Sequence, residues 1–286
     1  MSDNKLSILN NFFSKKTFHQ CLQNKINNEY TEVICKYIYS PENMKNADLV
    51  SKIYNVLKCN YRNEYFYKNT LLNKLLLGVH SINTTVALTE LPIAKSKADF
   101  VLINGKAVVY EIKTELDNLD RLEGQINDYY KVFDHVAVVT YEKNVSQLQV
   151  LKENLKKPVG IYVLKRNGAL SELKKPEPYR LSLNGFDIFK VLRKYEYEEI
   201  LMNYYHELPM VSEFQYYSKS RSLFLEIPIE ESYKLVLSLL KKRTKILKEE
   251  FVKVPYELRF LAYFMNFKKR DYENMERFLQ KIYGSV

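Results

Sequence analysis

Apolar residues along this chain change their spacing repeatedly, and each change marks a different kind of element. From Leu6 to roughly Cys59 they recur at helical intervals in an Asn- and Lys-rich background, as in Val33 and Tyr37, then Leu49, Ile53 and Leu57. Pro41 breaks this section, and a helix start comes after it. Tyr61–Gly78 carries Tyr65, Leu72, Leu75 and Leu76 on one side and ends in glycine, a common helix stop. The period then shortens. "TTVALTEL", bounded by Pro92, reads as a strand, and "ADFVLI" and "KAVVYEIK" read as two more around Asn104-Gly105, a strong hairpin signal.

Helical spacing returns with Leu119, Leu122, Ile126, Tyr129 and Phe133. "HVAVVT" is a continuous apolar run, as a central strand covered on both faces requires. Val145–Lys156 predicts a helix and "VGIYVL" a last strand. The order is helix, three strands, helix, strand, helix, strand, an α/β class built on one mixed sheet. "KKPEPYR" (Lys174–Arg180) is Pro-punctuated and charged, as a boundary would be. Beyond it helices are expected over Phe186–Tyr205, Glu230–Leu247 and Pro255–Tyr283, interrupted near Asn266, with "FLEIPI" the one strand signal. The expected division is a helical N-terminal region over 1–58, the α/β core over 59–175 and a helical C-terminal domain over 176–286.

The chain has 286 residues, 46% hydrophobic and 27% charged, which is ordinary for a globular protein. No apolar run reaches membrane-spanning length. "MSDNKLSILNNFF" lacks the features of a signal peptide, so the expected address is the cytoplasm. Cys21, Cys35 and Cys59 show no ligand spacing and are expected to be core thiols. His19, His80, His135 and His206 are scattered, which argues against zinc, and His135 is expected to be structural. The formal charge of +10 favours a polyanionic partner, although Lys- and Tyr-rich composition also arises from an AT-rich genome. The basic run Lys241–Lys248 reads as a phosphate-contacting surface or as a charged last helical turn.

The hairpin carries the candidate chemistry. Glu111 and Lys113 are two apart and share a face of their strand. Asp99 joins them only if the turn has the right parity. A two-residue loop at Asn104-Gly105 sets Asp99 opposite Tyr110 and away from Glu111. A three-residue loop, Ile103-Asn104-Gly105, with Gly105 left-handed, puts Asp99 on their face. Two carboxylates and the Ile112 carbonyl then suit Mg2+ or Mn2+, and Lys113 can orient a water or offset charge on phosphorus. Glu115, Asp117, Asp120 and Glu123 are expected to be a solvated helix entry, with Asp117 or Asn118 as N-cap.

Asp99, then Glu111-Ile112-Lys113 on a hairpin between helices, resembles the PD-(D/E)xK nuclease superfamily, with Ala98 where proline is usual. Gln125 and Tyr129, four apart on the next helix, resemble the Gln-x-x-x-Tyr motif of its RecB-like branch. "EIKTELDNLDRL", together with Gln125, Tyr129 and Phe133-Asp134, is similar to a little-characterised bacterial family of that superfamily. The resemblance covers about half the chain. It implies a restriction-endonuclease-like αβββαβ core and a Mg2+- or Mn2+-dependent deoxyribonuclease. Asp99, Glu111, Lys113 and Gln125 would be catalytic, and Asp99, Glu111, Ile112 and Glu90 would hold the metal, with Glu64 the alternative to Glu90. Arg121 and Tyr129 would contact nucleic acid. The alternative is an inactive nuclease fold that binds nucleic acid or protein as a regulatory module. The helical flanks carry no recognisable motif and are left for DNA, a protein partner or a second copy of the chain.

Overall fold

Six strands form one mixed sheet in this computed structural model, which describes residues 8–25, 28–79 and 82–284. The opening residues 1–7 and His80 lie outside the described residues. The strands are β1 (Val86–Ile93), β2 (Ser96–Asn104), β3 (Lys106–Ile112), β4 (His135–Thr140), β5 (Gly160–Leu164) and β6 (Leu170–Lys174), and they lie side by side in chain order. β1–β2–β3 is an antiparallel meander, β3, β4 and β5 run parallel, and β6 returns antiparallel along β5. The parallel steps need crossovers, which the helices Leu122–Tyr129 and Val145–Leu155 supply.

Both faces of the sheet are covered, which is why β4 reads as an unbroken apolar run and is buried throughout. Phe100, Leu102, Val108, Tyr110, Ala137, Val139 and Tyr162 face one core. The N-terminal helices from Ile8 to Leu71 fill that core together with residues from Phe251 to Leu279 near the other end of the chain. Phe18 stacks on Phe267, Tyr30 meets Phe278 edge-on, and Lys45 bridges to Ile282. On the second face Val101, Val109, Val136, Val138 and Ile161 meet the Leu122–Tyr129 helix and apolar residues from Ile188 to Leu240.

Several elements depart from the pattern reading. β1 runs through Pro92, which an edge strand tolerates because one side of its backbone needs no ladder partner. β6 was not expected: "LSELK" is polar and half exposed, as the far edge of the sheet allows. The helix after Tyr61 begins at Glu64, with Asn63 Oδ1 accepting the Phe66 N–H at 3.1 Å, and continues as wider π-turns over Leu72–Val79, past Gly78. Asn73 Nδ2 donates to the Asn69 carbonyl where these wider turns begin. "FLEIPI" is no strand, because Phe224–Glu226 completes the helix Glu213–Glu226. Phe186–Tyr205 is two helices, Gly185–Lys190 and Lys194–Tyr205. Of the cysteines only Cys21 is buried; Cys35 and Cys59 lie on exposed positions of their helices. Within the basic run the Arg243 side chain is turned inward, held by Glu196 and the Val191 carbonyl, while Lys242 pairs with Glu199 at the surface.

Gly160 opens β5 where Pro176 crosses it; a Cβ there would lie 2.8 Å from the Pro176 backbone nitrogen and Cδ. Neither atom can swing away. Gly160→Ala should therefore lower stability by about 1–3 kcal/mol, read from urea melts.

Candidate active site

The site begins at a turn. Asn104 pairs with Lys106, leaving Gly105 at the tip with φ 71, a left-handed conformation that favours glycine. The loop is odd in length, as parity requires for Asp99 to share the face of Glu111, although it centres on Gly105 rather than on Asn104. The β2–β3 ladder runs back to Phe100↔Tyr110 and ends. Asp99 and Glu111 are the next residues on the two arms. There Asp99 Oδ2 accepts the Ile112 N–H at 2.8 Å, so a side chain takes the donor a strand carbonyl would have taken.

Across β1, Thr89 pairs with Phe100 and Leu91 with Ala98, which sets Glu90 level with Asp99. Glu90 has φ 56, a strain of roughly 1–3 kcal/mol for a non-glycine residue. Glu64, in the first turn of its helix, approaches from the other side. Carboxylate oxygens of Glu64, Glu90 and Asp99 lie within 4.8 Å of one another. The sequence left Glu90 and Glu64 as alternatives; the fold brings in both. Lys68, a turn beyond Glu64, pairs with Glu64 and Glu90, and Lys97 pairs with Glu90 from the surface.

Glu111 is 1% exposed and held from the helix Leu122–Tyr129. Gln125 Nε2 donates to its Oε1 and the Tyr129 hydroxyl to its Oε2, each at 2.5 Å. Lys113 Nζ lies 3.0 Å from Glu111 Oε1 and donates to Gln125 Oε1 at 2.8 Å. The four-residue spacing of Gln125 and Tyr129 is what lets both grip one carboxylate. Glu64, Lys68, Glu90, Asp99, Glu111, Ile112, Lys113, Arg121 and Gln125 all line a single open cleft of about 640 Å³.

The electrostatics are those of crowded negative charge. Burial, then the neighbouring Glu111, push the Asp99 carboxyl up to about 8, against the pull of the Ile112 N–H and Lys68. Burial also raises Glu111, although Lys113, Tyr129 and Gln125 act the other way. Burial works against the charge on Lys68, but Glu64 and Glu90 prevail and its pKa is raised. Several hard oxygen donors whose charge is incompletely balanced suit a divalent cation.

Two roles are corrected. Tyr129 does not face a ligand: it is fully buried in the second core, and its hydroxyl serves Glu111 beside the Lys97 carbonyl, so it positions a carboxylate rather than touching nucleic acid. The acidic stretch is not simply a solvated helix entry. Glu115 pairs with Arg62 and accepts from the Tyr67 hydroxyl, and Asp117 Oδ2 closes a turn on the N–H and hydroxyl of Thr114. The helix starts only at Leu122, with Arg121 at its cap position and exposed on the cleft rim. His135 stays outside the cleft, its Nδ1 bonded to Asp134 at 2.7 Å. Lys68 is the site residue the sequence reading missed; its sole local signal is its place four residues after Glu64.

A family model described as bacteriophage P4 protein cII matches residues 57–260. Protein cII of Enterobacteria phage P4 is 28% identical over 110 residues, which are 38% of this chain and 40% of that protein. The match therefore spans less than half of that relative's length. No solved structure matches the chain significantly. No helix among the described residues is long and apolar enough to cross a membrane.

Proposed function

We propose, for a chain that belongs to the bacteriophage P4 protein cII family, that the cleft hydrolyses DNA phosphodiester bonds as a Mg2+- or Mn2+-dependent nuclease. The observation that carries this reading is the relay Lys113–Gln125–Glu111–Tyr129 set beside Asp99, Glu64 and Glu90 in one open cleft. The resemblance to PD-(D/E)xK nucleases supports it, since Asp99 and Glu111 sit on the two arms of one hairpin and Gln125 and Tyr129 reach Glu111 from the next helix.

Asp99, Glu111, Glu90 and Glu64 would hold the ion, and the Ile112 carbonyl would be a further ligand. When bound, the ion supplies charge to a phosphoryl oxygen and acidifies a water. Tyr129 and Gln125 fix both oxygens of Glu111, so that carboxylate does not reorganise during the reaction. Lys113 is held at Glu111 by Gln125, where its compact ammonium orients a water and offsets charge developing on phosphorus. Arg121, on the rim, meets a neighbouring phosphate and sets the strand's direction across the cleft.

The test is a divalent-metal panel against single-stranded, double-stranded and branched DNA. Cleavage is expected with Mg2+ or Mn2+, absent in EDTA and absent in Asp99→Asn. Failure to cut any of the three substrates with either ion, or an Asp99→Asn variant that cuts like wild type, would remove the proposal.

A further inference from the structure

Lys68 stands inside the carboxylate cluster rather than beside it. Its side chain is 7% exposed, it forms ion pairs with both Glu64 and Glu90, and its charge acts on Asp99. These are three of the four carboxylates assigned to the ion, so Lys68 and a divalent cation draw on the same negative charge. Lys113 engages the fourth, Glu111, but at one oxygen only and with its ammonium shared with Gln125, whereas Lys68 spans two carboxylates and acts on a third. Lys97 also touches Glu90, but it is 60% exposed and water screens it.

We propose that Lys68 is a resident counter-cation that sets the cleft's affinity for divalent ions, holding Glu64 and Glu90 when no metal is bound and opposing its binding. This rests on the reading of the cleft as a metal site. Glu64 and Glu90 are 56% and 40% exposed, so the burial that matters is that of the ammonium: at 7% exposure it carries a large desolvation cost without its carboxylates, and in the metal-free protein the three groups hold one another. An incoming ion must first detach the ammonium from Glu64 and Glu90. It then sits near a positive charge on a helix that cannot retreat far, since Phe66, Tyr67 and Leu71 of the same helix are locked in the core. Both effects weaken binding of the ion alone. A DNA phosphate arriving with the metal adds negative charge that relieves the repulsion, so ion and DNA bind more tightly together than apart.

The experiment measures free Mn2+ by electron paramagnetic resonance during titration of the full chain, at fixed ionic strength and with circular dichroism as the fold check. Lys68→Met removes the charge and retains most of the length. It is expected to bind Mn2+ roughly tenfold more tightly than wild type. Lys68→Arg keeps the charge and is expected to bind as wild type does. Lys68→Gln covers the case in which Lys68→Met does not fold. Mn2+ binding by wild type that is unchanged or weakened in the neutral variants overturns this inference alone. No Mn2+ binding by wild type or by either neutral variant overturns the metal-site reading, and the inference with it.

Discussion

On the proposed nuclease reading, Lys113→Ala should slow metal-supported DNA cleavage by about a hundred- to a thousandfold, the range seen when one preorganised electrostatic group is removed from a reacting centre. The ammonium lies at the junction of Glu111 and Gln125, so its loss affects the chemistry more than the grip on DNA. Single-turnover cleavage should fall, while DNA affinity in Ca2+ stays within a few-fold of wild type. Glu111 also loses its nearest cation, which makes a second readout necessary. Its bonds from Tyr129 and Gln125 remain, so a melt that stays cooperative with a modest loss of stability is expected. A variant that cuts at the wild-type rate would take Lys113 out of the reaction.

The second large effect lies away from the cleft. Asp134 is 2% exposed at the head of β4 and accepts from the Tyr233 hydroxyl and His135 Nδ1, each at 2.7 Å, and from Arg180 Nε at 3.0 Å. One carboxylate thus ties the central sheet to the helix Ile229–Lys241 and to the segment that leaves β6. Asp134→Ala leaves buried donors without their acceptor and should cost about 3–5 kcal/mol. The loss should depend on pH. Burial alone would raise this carboxyl, but His135, Tyr233 and Arg180 prevail and hold it at about 2, below its ordinary 3.8. A group whose folded pKa is depressed stabilises above its unfolded value and stops doing so as pH falls through the folded one. Urea melts between pH 6 and pH 2 should therefore show the gap between wild type and Asp134→Ala closing from about pH 4 downward. A gap constant across that range would mean that the network's charge does not contribute.

Much of the sheet was legible because burial on both faces leaves a plain signature. "HVAVVT" contains no polar residue between its opening histidine and its final threonine, and it is β4 from end to end. β6 carries no such signature, because an edge strand half in solvent is free to be polar. At the site, strand parity put Glu111 and Lys113 on one face and left Asp99 to the geometry of the turn, while Gln125 was named through its resemblance to a motif of known nucleases. What spacing could not supply was burial. Tyr129 sits on the face of its helix that points into the core, so its hydroxyl meets Glu111 and not solvent. Lys68 is a still longer-range case: Glu90 is 22 residues away, and only the docking of the Glu64–Leu71 helix against the open end of the meander joins them.

The pairing of Phe18 with Phe267 and of Tyr30 with Phe278 bears on how the chain is made. Synthesis proceeds from the N-terminus, so Phe18 and Tyr30 leave the ribosome about 250 residues before Phe267 and Phe278, which cover them. Until Phe267–Leu279 have emerged, that apolar face lacks its cover and is exposed to aggregation. The helix that carries Glu64 belongs to the same core. The Glu64 arm of the carboxylate cluster thus leans on a core whose cover is made last, and a chain cut short before Phe267 would hold every acidic residue of the cleft but lack that cover.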